Sequence, residues 1–191
     1  MSSDILFENQ QFENIIFNET PFPIGEYEYC VFNNCDLSNA DFSNFTFVSC
    51  TFLETNFSNS KLNQTAFRSC LFSNSKLMGL HFEDCHPFLF EVEFKTCILD
   101  FSSFNLMKIK NINFENSSLV DVDFTSTDLN SAVFKNCNLS KSLFNQSNLE
   151  KADFSSAYNY SIDPEINNVK KAKFSLPGVL GLLDKHQIKI I

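Results

Sequence analysis

The stretch from Phe94 to Phe154 reads FKTCI-LDFSS-FNLMK-IKNIN-FENSS-LVDVD-FTSTD-LNSAV-FKNCN-LSKSL-FNQSN-LEKAD-F. Every fifth residue is large and apolar, and Phe alternates with Leu or Ile at these centres. An amphipathic helix repeats its apolar residues with a period near 3.6 and a strand with a period of 2, so a period of five fits neither. A short repeat sustained this long predicts a solenoid, in which each unit buries its apolar residue by stacking on its neighbours.

The same spacing occurs on the N-terminal side, from Tyr27 to Phe82. The residue two before each centre is usually small, so we expect both positions to point into a narrow interior. The other three positions are rich in Asn, Ser, Asp, Glu and Lys and should face outward. Phe45 is an exception, because it is large at an inward position where most units are small. Of the 24 Phe residues, 19 stand at centres, so the excess of Phe has a structural cause.

Units such as AVFKN at 132–136, CNLSK at 137–141 and ADFSS at 152–156 resemble the repeats of pentapeptide-repeat proteins. The resemblance implies an all-β solenoid, a right-handed quadrilateral β-helix in which four units make one coil of twenty residues. It also implies a short C-terminal helical cap. The 29 centres then give about seven coils. At ~4.8 Å per coil the rod is about 35 Å long.

Three segments are expected. Residues 1–26 form an irregular N-terminal coil that caps the stack, residues 27–159 form the β-helix, and residues 160–191 form a C-terminal helical cap and dimerisation segment. In the last segment, Asp163 followed by Pro164 predicts a helix start, with Asp as the N-cap. A second helix is predicted from about Pro177, followed by a short strand over 187–191.

The spacing slips by two residues within 83–93, since twelve residues instead of ten separate Phe82 from Phe94. Two extra residues predict a bulge or a kinked corner. The apolar content of this segment allows two interpretations, a packed corner or an exposed aromatic patch for a partner. The packed corner is favoured; the apolar residues are Phe88, Leu89, Phe90 and Val92.

Composition excludes several classes of protein. There is no run of 18 apolar residues and no basic, then apolar, N-terminal start, so a soluble cytoplasmic protein is expected. The net charge of −9 argues against binding nucleic acid directly through phosphates. Residues 1–162 hold 20 acids and 9 bases, a charge of −11, whereas residues 163–191 hold 3 acids and 5 bases, a charge of +2.

No pattern in the sequence indicates a cofactor, a metal site or an active site. The seven cysteines all fall at inward small positions, without Cys-x-x-Cys spacing, which predicts buried, reduced, space-filling thiols. They are Cys30, Cys35, Cys50, Cys70, Cys85, Cys97 and Cys137. His81, His86 and His186 are not paired with other ligands at metal spacing. A rod with a filled interior offers no concavity for catalysis, so we expect no enzyme.

Within the family, the chain is similar to the Qnr-like group, the small dimeric members that protect DNA gyrase and topoisomerase IV from quinolones. The similarity lies in EYEYC at 26–30, GLHFEDC at 79–85, SIDPEIN at 161–167 and FSLPGVLGLL at 174–183. It implies a homodimer through the C-terminal segment. The expected dimerisation residues are Leu176, Val179, Leu180, Leu182, Leu183, Ile188 and Ile190. Several Qnr-like members carry projecting loops, and this sequence has no insertion longer than the two-residue slip.

The resemblance implies a non-enzymatic, DNA-mimicking protein that binds a type II topoisomerase, DNA gyrase or topoisomerase IV, through an acidic rod, with quinolone protection as a further expectation. Duplex DNA carries one charge per ~1.7 Å, roughly twice the density of the acidic body. The positions of the aspartates within the twenty-residue coil do not place them on one face of the rod. The expected contact residues are Asp36, Asp41, Asp121, Asp123 and Asp128. The alternative is a protein-interaction scaffold with no topoisomerase partner.

Overall fold

A computed structural model describes residues 5–88 and 90–189. The chain is an all-β parallel solenoid with thirteen short strands in two sheets. The strands are β1 (Ile5–Glu8), β2 (Gln11–Glu13), β3 (Gly25–Glu28), β4 (Val31–Asn33), β5 (Thr46–Val48), β6 (Thr51–Leu53), β7 (Ala66–Arg68), β8 (Cys70–Ser73), β9 (Val92–Lys95), β10 (Asn113–Glu115), β11 (Val133–Lys135), β12 (Asp153–Phe154) and β13 (Lys173–Phe174).

The four faces of the rod are set by a register of twenty residues. The first face carries the sheet β1-β3-β5-β7, and the second carries the nine-stranded sheet from β2 to β13. Isolated parallel bridges build the third face, where Asp36 pairs with Asn56, and the fourth, where Asp41 pairs with Lys61. Nine stacked strands make eight steps, so the rod has about eight turns where seven were expected, and a length of roughly 38 Å.

The core is a set of columns of stacked rings. On the second face the Phe centres pair in register across the coils, and neighbouring rings stack nearly parallel. Their centroids are 4.9 Å apart for Phe32 and Phe52 and 5.2 Å apart for Phe114 and Phe134. Because stacking of aromatic rings adds to the free energy of burial, the columns stabilise the rod.

The corners of the rod are turns with a positive φ. The residue two after most centres adopts left-handed backbone, as at Asn39 (φ 55°) and Asn136 (φ 53°). Asn tolerates this conformation better than most residues, which explains its abundance at these positions. The left-handed backbone of the corners therefore determines which residues occur there.

Phe45 is buried at an inward position within a cluster of aromatic rings. Its ring lies 5.2 Å from the Phe42 ring, 5.9 Å from the Tyr27 ring and 6.5 Å from the Phe17 ring. The large residue at this position is therefore part of the aromatic core.

The C-terminal segment differs from the prediction. The helix expected at Asp163 is wrong, since residues 164–166 form a turn and the parallel pairing continues past residue 160 to Phe174 in β13. Beyond it are two 3-10 helices, Gly178–Leu182 and Asp184–His186. Residues 187–189 form no strand, and residues 190 and 191 lie outside the described part of the chain. Among the described residues, no helix is long and apolar enough to cross a membrane.

The two-residue slip lies between His86 and Glu91. The amide of His86 still donates to the carbonyl of Thr65 in the ordinary register, whereas β8 and β9 pair with an offset of twenty-two, Cys70 with Val92. Phe90 packs edge-on against the rings of Phe67 and Phe82. Phe88 is 65% exposed. The packed corner and the exposed patch are therefore both partly right, and Leu89 lies outside the described residues.

Candidate protein-binding surfaces

The five predicted contact residues do not share a face. Asp36 lies on the third face, Asp41 and Asp123 lie on the fourth, Asp121 is at the corner between those two, and Asp128 lies on the first. Four coil steps separate Asp36 from the coil of Asp121, which is roughly 19 Å. Asp36 and Asp41 belong to one coil and Asp121 and Asp123 to another, so the structure does not bring the five together.

Four of these carboxylates have a local structural task. The carboxylate of Asp41 accepts from the amide of Ser43 at 3.0 Å, and that of Asp123 accepts from the amide of Thr125 at 2.8 Å. Asp36 and Asp128 make the same contact two residues on. Such short-range bonds to the main chain stabilise turns. Hydrogen bonds from the Ser43 hydroxyl and amide lower the pKa of the Asp41 carboxyl below its ordinary value.

A segment of the rod that the sequence reasoning missed carries all of its net charge. Residues 1–60 contain nine acids and no Lys or Arg, whereas residues 61–191 contain 14 of each. We call the described acids of the first three coils the acidic segment. They are Glu8, Glu13, Glu19, Glu26, Glu28, Asp36, Asp41 and Glu54. Dividing the chain at residue 60 instead of 162 would have revealed this charge.

The charge density of the acidic segment is that of duplex DNA. Three coils span about 14 Å at ~4.8 Å per coil. Duplex DNA carries about eight charges over that length, at one per ~1.7 Å. The acidic segment has eight described carboxylates in the same length. The comparison that disfavours mimicry for the whole body therefore favours it for this third of the rod.

Like charges face one another in the acidic segment. Glu8 and Glu28 are direct partners in the pairing of β1 with β3, and Glu26 lies in the same strand as Glu28. Like charges directly opposite each other on a sheet destabilise it. The arrangement costs stability, which points to a function outside the fold.

The rest of the rod neutralises its own charges. Glu115 pairs with Lys135 at 2.5 Å and Asp153 with Lys173 at 3.0 Å, each across one coil step. Asp128 pairs with Lys110 at 3.2 Å. Among the described residues, all ion pairs lie between residues 81 and 185. Asp121, Asp123 and Asp128 thus belong to the neutral part of the rod.

The C-terminal segment presents an apolar surface, which we call the tail surface. Its residues are Leu176, Val179, Leu180, Leu183 and Ile188, all exposed, and Leu176 is 87% exposed. Leu182 is half-buried and packs on the core instead, and Ile190 lies outside the described residues. Lys185 holds the segment on the last coil, at 2.7 Å from Asp163 and 2.6 Å from Glu165.

The slip leaves an open groove on the first face, which we call the slip groove. Its volume is about 490 Å³. We define it by Glu83, Cys85, Pro87, Phe90, Met107 and Lys108. Leu106 stands on its rim and is 73% exposed.

The predicted burial of all seven cysteines is confirmed, and each thiol is free. Burial raises the pKa of Cys97 and of Cys137 to about 11, so neither is a thiolate near neutral pH. Nucleophilic catalysis needs the thiolate, and these thiols instead donate to carbonyls. Within residues 5–88 and 90–189, no three His, Cys, Asp or Glu side chains are grouped to hold a metal ion.

Comparison with solved structures finds similar rods. Two trypsin-treated forms of QnrB1, a plasmid-mediated fluoroquinolone resistance protein, are each 12% identical to this chain and superpose with TM-scores of 0.64 and 0.62. Each alignment covers 98% of this chain, and 98% and 99% of the respective QnrB1 chains. HetL, a pentapeptide repeat protein involved in heterocyst differentiation regulation from Nostoc sp. strain PCC 7120, is 13% identical with a TM-score of 0.43, over 91% of this chain and 87% of HetL.

Sequence comparison gives the family. No curated protein sequence matches the chain. The family model of the pentapeptide repeat region matches residues 22–88 and 80–154, which is more than half of the chain. The twenty-residue register and the stacked centres agree with it. The chain belongs to the pentapeptide-repeat family.

Proposed function

We propose that this protein is a non-enzymatic binding protein that occupies the DNA site of a type II topoisomerase, DNA gyrase or topoisomerase IV. The observation that carries the proposal is the acidic segment, whose charge density equals that of duplex DNA. In this proposal the acidic segment lies in the basic DNA saddle of the enzyme, and the neutral part of the rod supports it. QnrB1, whose fold is similar along the whole chain, is described as a fluoroquinolone resistance protein.

We further propose a homodimer that joins two rods end to end through the tail surface. Exposed apolar side chains at the end of a solenoid leave its last coil uncovered, and a second copy covers them. The two acidic segments would then lie at the far ends of one long rod. This arrangement suits a two-fold symmetric enzyme, because each end meets an equivalent basic surface.

The experiment is a titration of purified protein into gyrase supercoiling reactions, with and without a fluoroquinolone. Inhibition without drug, or restored supercoiling with it, is expected. The triple variant Glu8→Gln, Glu26→Gln, Glu28→Gln should weaken the effect at least tenfold, because it removes three of the eight described charges of the acidic segment. The matched control, Asp121→Asn, Asp123→Asn, Asp128→Asn, removes three charges from the neutral part and should act like the parent chain.

Two outcomes would contradict the proposal. One is the absence of any effect on supercoiling at tens of micromolar protein whose folding is verified by circular dichroism. The other is an equal loss for both triple variants, which would show that the location of the charge does not matter. Increasing salt should weaken the interaction, since exposed charges are screened beyond about 10 Å at 0.1 M salt.

The alternative, a protein-interaction scaffold without a topoisomerase partner, is favoured by the exposed apolar residues near the slip. Phe88, Phe101 and Leu106 are all exposed on coils that lie outside the acidic segment. The same family fold accommodates both functions. A pull-down with the triple Gln variant separates them, because a scaffold that binds near the slip retains its partner when the acidic segment is neutralised.

A further inference from the structure

The nine-stranded sheet of the second face has two halves that differ in their outward side chains. In the first half, on β4, β6 and β8, one outward column places Val31 beside Thr51 and Thr51 beside Leu71. In the second outward column, Leu53 points to the same side as Thr51, because alternate residues of a strand share a face. These four side chains are partly exposed, whereas the Phe centres between the columns are buried. We call Val31, Thr51, Leu53 and Leu71 the apolar sheet surface.

The other half of the same sheet, from β9 to β13, is charged at most of the equivalent positions. Three ion pairs link its outward residues, namely Lys95 with Glu93 at 3.0 Å, Lys135 with Glu115 at 2.5 Å and Lys173 with Asp153 at 3.0 Å. The strands pair in the same parallel manner in both halves. The fold therefore accepts charged residues at these positions and does not require apolar ones on β4, β6 and β8.

The third and fourth faces of the same coils are polar at the corresponding positions. Asp36, Asn56 and Lys76 are bridged in register on the third face, and Asp41 and Lys61 on the fourth. Apolar residues at outward positions are thus not a general property of these coils. An accumulation of partly exposed apolar residues on one side of a soluble rod marks an interaction surface.

Tyr29 extends the apolar sheet surface around the corner towards the first face. It precedes Val31 by two residues and is 56% exposed. A tyrosine supplies a large, rigid contact through its ring and a hydrogen bond through its hydroxyl, and it is enriched at the centres of protein interfaces. The surface therefore combines a flat apolar area with an aromatic residue at its edge.

The border of the apolar sheet surface is acidic on the side of the first coils. Its carboxylates are those of Glu13 in β2, Glu28 in β3 and Glu54 at the corner after Leu53. All ion pairs of the described residues lie between 81 and 185, so none neutralises these three. Two cations lie at the opposite end, Arg68 in β7 and Lys95 in β9, and Lys95 is paired. Repulsion between carboxylates disfavours a second copy or a nucleic acid as the occupant.

We propose that the acidic segment docks on its protein partner through the apolar sheet surface, and that the partner presents apolar residues flanked by Lys or Arg. This inference rests on the proposed function and deepens it, since it names the side of the acidic segment that makes the contact. Apolar side chains of the partner pack on Leu53, Leu71 and Tyr29, and its basic side chains pair with the bordering carboxylates. An apolar centre supplies contact area, and complementary charge at the border directs the association.

The first test measures binding to purified gyrase by biolayer interferometry. The double variant Leu53→Asn, Leu71→Asn should bind at least tenfold more weakly than the parent chain, also at about 0.3 M salt, where charges are screened. Its fold should be retained, because Asn33 and Asn113 occupy the same two columns on other strands. The control Val133→Asn changes the first column in the charged half of the sheet and should bind like the parent.

The outcomes separate this inference from the proposed function. If gyrase binds the parent and the double variant equally well, the inference fails and the proposed function stands. If gyrase does not bind the parent at all, the proposed function fails, and the second test decides the inference alone.

The second test needs no natural partner. The probe is a capped helical peptide of about four turns with a stripe of Leu flanked by Lys, and two control peptides replace Leu by Ser or Lys by Glu. In NMR spectra of protein labelled at its Leu and Val methyl groups, the probe should shift the signals of Val31, Leu53 and Leu71. The signals of Val133 should not move, and neither control peptide should shift any of the four.

Two results of this titration overturn the inference. One is the absence of a shift at the apolar sheet surface with the probe at up to about 1 mM. The other is an equal shift with the Lys and the Glu peptides, because the border would then not select basic residues. Light scattering supplies a further check, since the double Asn variant should keep the mass of the parent chain. A lower mass would show that the surface joins two copies instead.

Discussion

At the residue scale, the inward small positions are satisfied hydrogen-bond donors. The hydroxyl of Thr65 donates to the carbonyl of Phe42 at 2.7 Å, and the thiol of Cys50 donates to that of Tyr27 at 3.1 Å. The same position accepts Cys, Ser or Thr because each is small and carries one donor. This pairing explains why polar residues are tolerated in a core of stacked rings.

We predict that stability falls as the pH rises from about 9 to 11. The pKa of the buried Cys97 and Cys137 thiols is about 11, against an ordinary value of 9.0 in the unfolded chain. A raised pKa in the folded state means that the stabilisation is complete below pH 9 and is lost as the pH rises toward 11. Urea unfolding at a series of pH values measures this, with a maximum slope of about 1.4 kcal/mol per pH unit for each thiol.

The control for this prediction is Cys97→Ser, which keeps a donor and removes a titrating group. Its stability should fall less steeply between pH 9 and 11 than that of the parent chain. An identical pH dependence would mean that other groups cause the loss.

Phe101 stands at a corner with a φ of 63° and is exposed. We predict that Phe101→Asn raises the free energy of unfolding by about 1 kcal/mol, because a left-handed backbone costs about 1–2 kcal/mol for most residues and less for Asn. Urea unfolding measures the change. The reverse substitution at an ordinary corner, Asn111→Phe, should lower stability by a similar amount, and a gain there would contradict the explanation.

At the element scale, the C-terminal segment shows why a correct local signal led to a wrong helix. Asp163 does cap a turn, since its carboxylate accepts from the Glu165 amide at 2.9 Å. The turn ends because Asn167 takes an inward position and its amide oxygen accepts from the amide of Ser147 at 2.8 Å. The chain therefore continues the repeat here instead of forming a helix. The local sequence could not show this, because the contact that decides it is with a residue twenty positions earlier.

The five-residue period, in contrast, predicted most of the fold. It identified the buried centres from Tyr27 to Phe154 and the inward cysteines, because one short-range rule repeats along the chain. It could not predict the burial of Phe45, which packs against the rings of Phe17 and Tyr27, residues distant in the sequence. Nor could it reveal that the carboxylates of Asp36 and Asp41 accept hydrogen bonds from main-chain amides in turns, because an aspartate that only contributes surface charge occurs at the same positions.

We predict that Gly181→Ala displaces the C-terminal segment. A Cβ atom at this position would lie 2.2 Å from the carbonyl oxygen of Tyr160, which is backbone and cannot move away cheaply. The bond from the Ile162 amide to the Gly181 carbonyl, 3.0 Å long, should break. Faster amide exchange at Ile162 measures this, with Leu176→Ala as a control at an exposed site. Unchanged protection of Ile162 would show that the segment adapts.

At the scale of the whole molecule, the charge is strongly polarised along the rod. The first three coils carry the whole net charge, and the remaining coils are neutral and cross-linked by ion pairs. Exposed pairs of this kind contribute little stability each, so their effect is mainly to cancel charge. The protein therefore has one end that attracts basic surfaces and one end suited to apolar contact.

We predict that small-angle X-ray scattering records an end-to-end dimer. Each rod is roughly 38 Å long, so the maximum dimension of such a dimer should exceed about 75 Å. Leu180→Asp together with Leu183→Asp should halve the mass in light scattering and shorten the particle accordingly. A compact dimer close to the length of one rod would contradict the end-to-end arrangement.

Because each coil contains twenty residues, the length of the rod can change only in steps of one coil. Duplicating twenty residues between the acidic segment and the tail surface inserts one coil in register with its neighbours, and moves these two surfaces apart by ~4.8 Å. The two extra residues of the slip, in contrast, change the surface locally and leave the number of coils unchanged. The distance between the two ends of the rod can therefore be changed in steps of one coil without redesigning the core.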